Sequence, residues 1–348
     1  MKNNLIRPSI VKMLAYTPGE QPRIPGLIKL NTNETPYPPS PKVARAIRRI
    51  LNGSLRLYPD PVCLNLRAAI AKRYGFKIDE VFCGNGSDEI LGACFRAFVD
   101  GGQVVQFPFP TYSLYPVLSK IHHARIREIP CGKDFSLALA QFDPRATLTF
   151  VANPNSPTGT LLSNAFLRKL ARRLKGVLVI DEAYVDFAKS HALPLVRTEK
   201  NVIVTRTSSK SFALAGLRVG YAIGNRELIG ALFKIKDSYN LDRLAQAAGQ
   251  AAIEDIAYHR RLIKKVNRTR EWCRRELIKR GWHTPPSEGN FLFTRPARHP
   301  AKKWLDILRK NKILIRWFEH PQIRDWLRIS IGSDAEMRQL LKIVDKSN

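Results

Sequence analysis

Between residues 81 and 224 the chain alternates short, almost unbroken apolar runs with segments of helical periodicity. The runs are VFCGN, QVVQF, TLTFVA, VLVIDEAY, NVIVT and RVGYAIG; SDEILGACFRAF and SNAFLRKLARRL lie between them. A strand that is apolar on both faces must be covered on both faces, and helices packed against a parallel sheet do that. The pattern therefore predicts an α/β fold with a doubly wound, mainly parallel sheet. Ser87 and Ser163 stand where the two helices should be capped. Open parallel sheets bind ligands beyond the carboxyl ends of their strands. Gly84 to Asp88, Pro110 to Tyr112, Asn153 to Gly159, Asp181 to Tyr184 and Thr207 to Lys210 each follow an apolar run, so these segments should converge on one rim.

The flanking regions read differently. Eight prolines fall at positions 8, 18, 22, 25, 36, 38, 39 and 41, a density that excludes a regular helix or central strand and predicts an extended arm over residues 1–40. A large α/β domain is expected over 41–245. A smaller α+β domain is expected over 246–348, from a charged helical region near 241–280, the strand-like NFLFTRP, ILIRWF and WLRISIG, and helices near 301–311 and at the end. With 348 residues, 44% of them hydrophobic, the chain can bury a sizeable core.

The formal charge of +29 raises the question of nucleic acid. The basic residues are nevertheless spread along the chain at helical spacing, as in LRKLARRLKG, and no RNA-binding, finger or basic-zipper pattern accompanies them, so they read as solvated helix faces. Five cysteines without a CxxC pair argue for reduced thiols and a cytoplasmic protein. No apolar stretch is long enough for a signal sequence or membrane span, and the seven histidines show no metal-binding spacing.

The chemistry begins with RTSSKSFALAGLR, residues 206–218. Lys210 is fenced by hydroxyls and small apolar residues, and poor solvation with Arg218 nearby favours a free amine able to attack an aldehyde. GNGSDE places small residues before a helix whose first N–H groups can cradle an anion, with Thr207, Ser209 and Arg218 as further donors; a tight turn would use the same glycines. Asp181 ends the buried run VLVI and needs a cation, such as a protonated pyridine nitrogen, unless it forms an ordinary salt bridge or a cap. Tyr112 could lie on an aromatic ring, while Asn155 and Tyr184 could donate to a phenolate oxygen or serve turn and core. Together these groups describe pyridoxal 5′-phosphate.

The ordered series KLNTNETPYP, YPDP, GNGSDE, PTYSLY, NPNSPTGT, DEAYVDF, TSSKSFALAGLRVGY, GNFLF and LRISIGS resembles the fold-type I, pyridoxal-phosphate-dependent aminotransferases of class I/II, and within them the branch acting on histidinol phosphate. The resemblance implies that Lys210 takes the cofactor aldehyde, Asp181 pairs the ring nitrogen, Tyr112 stacks on the ring and Tyr184 bonds its oxygen. It assigns Ser87, Asp88, Thr207, Ser209 and Arg218 to the phosphate, Tyr58 to the phosphate of a neighbouring subunit in a homodimer, and Arg328, Arg316, Tyr16 and Asn33 to the substrate. Where that family has asparagine before Pro-Thr-Gly this chain has Ser156, so either Asn155 or Ser156 is left to reach the cofactor oxygen. The implied reaction moves the amino group of L-histidinol phosphate to 2-oxoglutarate in histidine biosynthesis. An aromatic amino acid aminotransferase, a phosphothreonine decarboxylase of the same shape and, more remotely, a basic nucleic-acid-binding protein without chemistry are the competing readings.

Overall fold

A computed structural model describes residues 5–347. The strands are β1 (Ile28–Lys29), β2 (Val81–Asn85), β3 (Val104–Phe109), β4 (Arg125–Pro130), β5 (Leu148–Ala152), β6 (Val177–Asp181), β7 (Val202–Thr207), β8 (Val219–Gly224), β9 (Phe291–Thr294), β10 (Ile313–Leu314), β11 (Arg316–Trp317) and β12 (Leu327–Ser330). Seven of them form one sheet in the order β2-β8-β7-β6-β5-β3-β4. Strands β3 to β7 run parallel, whereas β8 lies antiparallel to both β2 and β7. The carboxyl ends of the parallel strands thus share one rim, as the apolar runs predict.

Strand β4 has no counterpart among those runs. It occupies the sheet edge, where Arg125, Arg127 and Glu128 stand in solvent, so burial never imposed an apolar pattern on it. Ser163 accepts a hydrogen bond from the backbone N–H of Phe166 and caps the helix Asn164–Arg173. Ser87 does not cap. The helix Gly86–Phe98 begins one residue earlier, and its N-cap Asn85 makes no side-chain cap bond. Its first N–H groups are therefore left to a ligand.

The arm is less uniform than its prolines suggest. Pro8 opens a single helical turn to Val11, which a proline tolerates at the first helical position, and β1 pairs in parallel with β10 through Ile28 opposite Ile313. Residues 241–280 form two helices, Arg243–Glu254 and Ile256–Lys279, separated at Asp255. Apolar side chains gather in cores on the two faces of the large sheet. A further core combines Ile28 and Leu30 with Trp282, Trp304, Ile329 and Met337. In that part of the molecule β11, β12 and β9 form an antiparallel three-stranded sheet. The described residues contain no helix long and apolar enough to cross a membrane.

Candidate active site

A cavity of about 320 Å³ opens at the carboxyl rim of the large sheet. Ser87, Asp88, Tyr112, Ser156, Asp181, Tyr184, Thr207, Ser209 and Lys210 reach it from the ends of five strands, while Tyr16, Arg316 and Arg328 close it from the arm and the smaller sheet.

One end is an anion cradle. Gly86 has φ +78, and a Cβ placed there would lie 2.5 Å from Arg218 Nη2. A Cβ on Gly220 would lie 2.3 Å from the carbonyl carbon of Gly86, so glycine at both positions lets β8 and Arg218 approach the bare helix N-terminus. Arg218 itself adopts a left-handed φ of 51 and donates to Asp88 Oδ2 at 3.0 Å and to Ser209 at 3.3 Å. Thr207 donates to Ser209 at 2.9 Å. Tyr112 donates to the other oxygen of Asp88, and burial beside that carboxylate raises its phenol pKa.

Asp181 ends β6 with 4% exposure and accepts from Tyr115 at 2.9 Å and from the Ala183 N–H at 3.2 Å. Burial raises its pKa to about 6 against the pull of these bonds, and no salt bridge to it occurs among the described residues. A buried acid without a cation suits a protonated ring nitrogen.

Lys210 donates from Nζ to the Thr32 carbonyl at 2.9 Å, and its own carbonyl accepts from Thr35 at 2.7 Å. The amine lies 5.8 Å from the ring centroid of Tyr184. Burial alone would raise the pKa of Tyr184; the charges of Lys210 and Arg328, together with the hydrogen bond from Asn33, outweigh it and lower the value.

Arg316 and Arg328 are direct partners across β11 and β12, which sets two guanidinium groups side by side. Arg328 donates to Ser156 at 3.0 Å and to the Asn31 carbonyl at 2.8 Å, and its buried Nε has no partner. Burial, and then the neighbouring Arg316, lower its pKa. No salt bridge of either arginine to a carboxylate occurs among the described residues, so an anionic ligand is the natural complement.

Three anticipated residues lie outside the cavity lining. Asn155 spends its side chain on the Pro110 carbonyl at 2.9 Å, on Thr158 at 2.8 Å and on Thr111 at 3.0 Å, which is turn duty; Ser156 is the residue that faces inward. Asn33 is buried and donates to the Tyr184 hydroxyl at 3.0 Å instead of pointing at a substrate. Tyr58 is 76% exposed and stacks on Tyr239 at 4.3 Å. Sequence reasoning missed Tyr115, which stands one helical step beyond Tyr112, and the Thr32 carbonyl, a backbone group that no side-chain pattern announces.

The donor set fits an organic phosphate carrying an aldehyde and a protonated aromatic nitrogen: cradle, amine and buried acid are all present in one cavity. Comparison with known proteins agrees. The family described as aminotransferase class I and II matches residues 25–344. Histidinol-phosphate aminotransferase 1 of Trichormus variabilis is 45% identical over 341 residues, covering 97% of each chain, and histidinol-phosphate aminotransferase of a Geobacter species (strain M21) is 46% identical over 338 residues, again covering 97% of each. The structure of histidinol-phosphate aminotransferase from Sinorhizobium meliloti in complex with pyridoxal-5′-phosphate superposes with a TM-score of 0.88 at 26% identity, covering 99% of both chains.

Proposed function

Because this chain belongs to the class I and II aminotransferases, we propose that it moves the amino group of L-histidinol phosphate to 2-oxoglutarate, yielding imidazole-acetol phosphate and glutamate in histidine biosynthesis. The observation that carries the substrate is the Arg316 and Arg328 pair, a second cationic group on strands separate from the Arg218 cradle. Both substrates bring an anion, a phosphate in one half-reaction and carboxylates in the other, and guanidinium forks suit each. The curated relatives named above support the same reading.

Pyridoxal 5′-phosphate, when bound, supplies the aldehyde and the ring that accepts electrons from the substrate's α-carbon. Gly86, Ser87, Asp88, Thr207, Ser209 and Arg218 would hold its phosphate, Asp181 would keep a proton on its ring nitrogen, Tyr112 would hold the ring, and Ser156 and Tyr184 would serve its phenolic oxygen. Lys210 takes the proton from the substrate's α-carbon, and Thr32 steadies the free amine between steps.

The working unit in this reading is a cytoplasmic homodimer. Leu51, Leu55, Leu57 and Leu64, which flank Tyr58 in sequence, and Tyr239, which stacks on it, expose apolar surface that a second copy of the chain would cover. Tyr58 then serves the neighbour's phosphate. We divide the chain into an arm to residue 40, a large domain and a small domain; the helix Arg243–Glu254 puts Ala248, Ala252 and Ile253 into a core of the large sheet, so the boundary lies beyond residue 245, near Asp255.

The test is turnover of purified, cofactor-loaded protein with histidinol phosphate, phenylalanine and phosphothreonine supplied separately, 2-oxoglutarate being the acceptor for the first two. Histidinol phosphate should be transaminated fastest. A preference for phenylalanine, or release of carbon dioxide from phosphothreonine, removes the substrate proposal while leaving the family intact.

A further inference from the structure

Asn33 sits in the left-handed region, φ 56, with 1% exposure, and its polar atoms are all committed. Its carbonyl accepts from Asn290 Nδ2 at 2.9 Å. Its backbone N–H donates to Ser330 Oγ at 2.8 Å, and its side-chain oxygen lies 2.8 Å from that same Oγ. Its Nδ2 lies 3.0 Å from the Tyr184 hydroxyl.

These contacts order the protons. The Asn33 backbone N–H can only donate, so Ser330 Oγ accepts from it and has a single proton to give. Asn33 Oδ1, at 2.8 Å, accepts that proton; an amide turned over would leave the Ser330 proton without an acceptor among the described residues. The amide NH₂ then faces Tyr184. An amide nitrogen only donates, so the phenol oxygen accepts and its own proton is turned elsewhere. We propose that Ser330 and Asn33 form a relay of positioning residues that fixes Tyr184 as an acceptor on its protein side and so aims its O–H at the ligand in the cavity.

The relay rests on the reading that Tyr184 meets the phenolic oxygen of pyridoxal phosphate, and its consequence is a matter of proton competition. A hydrogen bond from Tyr184 stabilises the oxygen as an anion, so the loaded protein loses its chromophore proton at lower pH. The titratable groups facing Tyr184 are Lys210 from the loop after β7, Arg328 from β12 and Tyr115 from the helix Leu114–Ile121; the Phe291 ring of β9 packs edge-on against it. The relay leaves all of these in place.

The experiment is a pH titration of the visible absorption of the loaded protein, with the pyridoxal phosphate dissociation constant measured alongside. One hydrogen bond's net worth corresponds to about half to one pH unit. Tyr184→Phe should raise the midpoint by about that much, and Ser330→Ala should do the same at a site remote from the ligand. Asn33→Gly, which tolerates the positive φ, should repeat the shift if Ser330→Ala folds poorly. In a Tyr184→Phe background neither change should move the midpoint further, because both act through the missing hydroxyl. Independent, additive shifts would mean general loosening and would overturn the relay, as would an unmoved midpoint in Ser330→Ala and Asn33→Gly when Tyr184→Phe does shift it. No shift in Tyr184→Phe itself would sink the underlying assignment of Tyr184 and the relay with it.

Discussion

Asp181→Asn should stabilise the cofactor-free protein at pH 8 and not at pH 4.5. Burial moves this carboxyl from its ordinary 3.8 to about 6. A group whose folded value is raised contributes its full stability below the unfolded value and loses it as pH rises through the folded one. The gap of about 2.2 pH units converts, at roughly 1.4 kcal/mol each, to about 3 kcal/mol by which ionised Asp181 burdens the folded chain above pH 6. With 4% exposure, solvent screening removes little of this. Asparagine removes the charge but offers one acceptor where the carboxylate offers two to Tyr115 and Ala183, a loss of about 1 kcal/mol. The net gain at pH 8 is then about 2 kcal/mol, which for a chain of this size raises the melting temperature by about 3 °C. At pH 4.5 the acid is neutral in the folded protein, the remaining cost of about 1 kcal/mol against an unfolded value of 3.8 is offset by the lost acceptor, and the variant gains nothing. Thermal melting followed by circular dichroism, on protein stripped of pyridoxal phosphate, reads both. Pyridoxal phosphate should reverse the order, because a ring cation repays the buried carboxylate and not the amide. A variant that melts below the wild type at pH 8, or gains equally at both pH values, would refute the argument that Asp181 is a buried acid awaiting a cation.

Other substitutions probe the rest of the cavity. Gly220→Ala drives a methyl group into the backbone of Gly86 and Ser87, at 2.3 and 2.4 Å, so melting temperature and pyridoxal phosphate affinity should fall together by about 2 kcal/mol or more; unchanged affinity would refute the cradle. Asn155→Ala should lower stability by about 1–3 kcal/mol through its lost turn bonds yet leave the cofactor spectrum alone, whereas Ser156→Ala should shift the spectrum with little effect on melting. Arg328→Ala, which removes a guanidinium with a buried unpartnered Nε, should lower kcat/KM about 100-fold or more for donor and acceptor alike, and Arg316→Ala, whose group is held by the Thr17 carbonyl at 3.4 Å, about 10-fold; steady-state kinetics with each substrate varied in turn checks both.

The strands that could be read from the sequence were those buried on both faces. Val202–Val204 and Val177–Ile180 are unbroken apolar runs inside their strands because helices cover them, whereas Arg125–Pro130 sits at the edge and carries charges. The same principle separates the site residues. Lys210 and Asp181 were legible because an ionisable group in an apolar run is anomalous and asks for a partner. Ser330 was not, since a serine on a strand is ordinary until its neighbours are known. Asn155 and Ser156 show the limit most directly: adjacent residues of one turn face opposite ways, and composition gives no sign of which faces the cavity. The cap was placed two residues late, at Ser87 instead of Asn85, because serine is a common cap, while the bare N-terminus is what an anion requires.

Long-range geometry supplies what remained hidden, and most of it passes through residues 31–35. Thr32 and Thr35 hold the amine and the carbonyl of Lys210, more than 170 positions later in the chain. Asn31 accepts from Arg328 and donates to Glu20, so the same segment ties the substrate-facing strand to the arm. Asn33 joins Ser330 to Tyr184. These five residues are thus a joint between the large sheet, which carries the lysine, and the small one, which carries the arginines. A short connector can do this only if its own backbone groups are spent on bridging instead of on a ladder, and that is why it is neither helix nor strand. Irregular backbone, held by partners from the large sheet, the three-stranded sheet and Glu20 of the arm, is the device that brings an amine and a guanidinium group into one cavity.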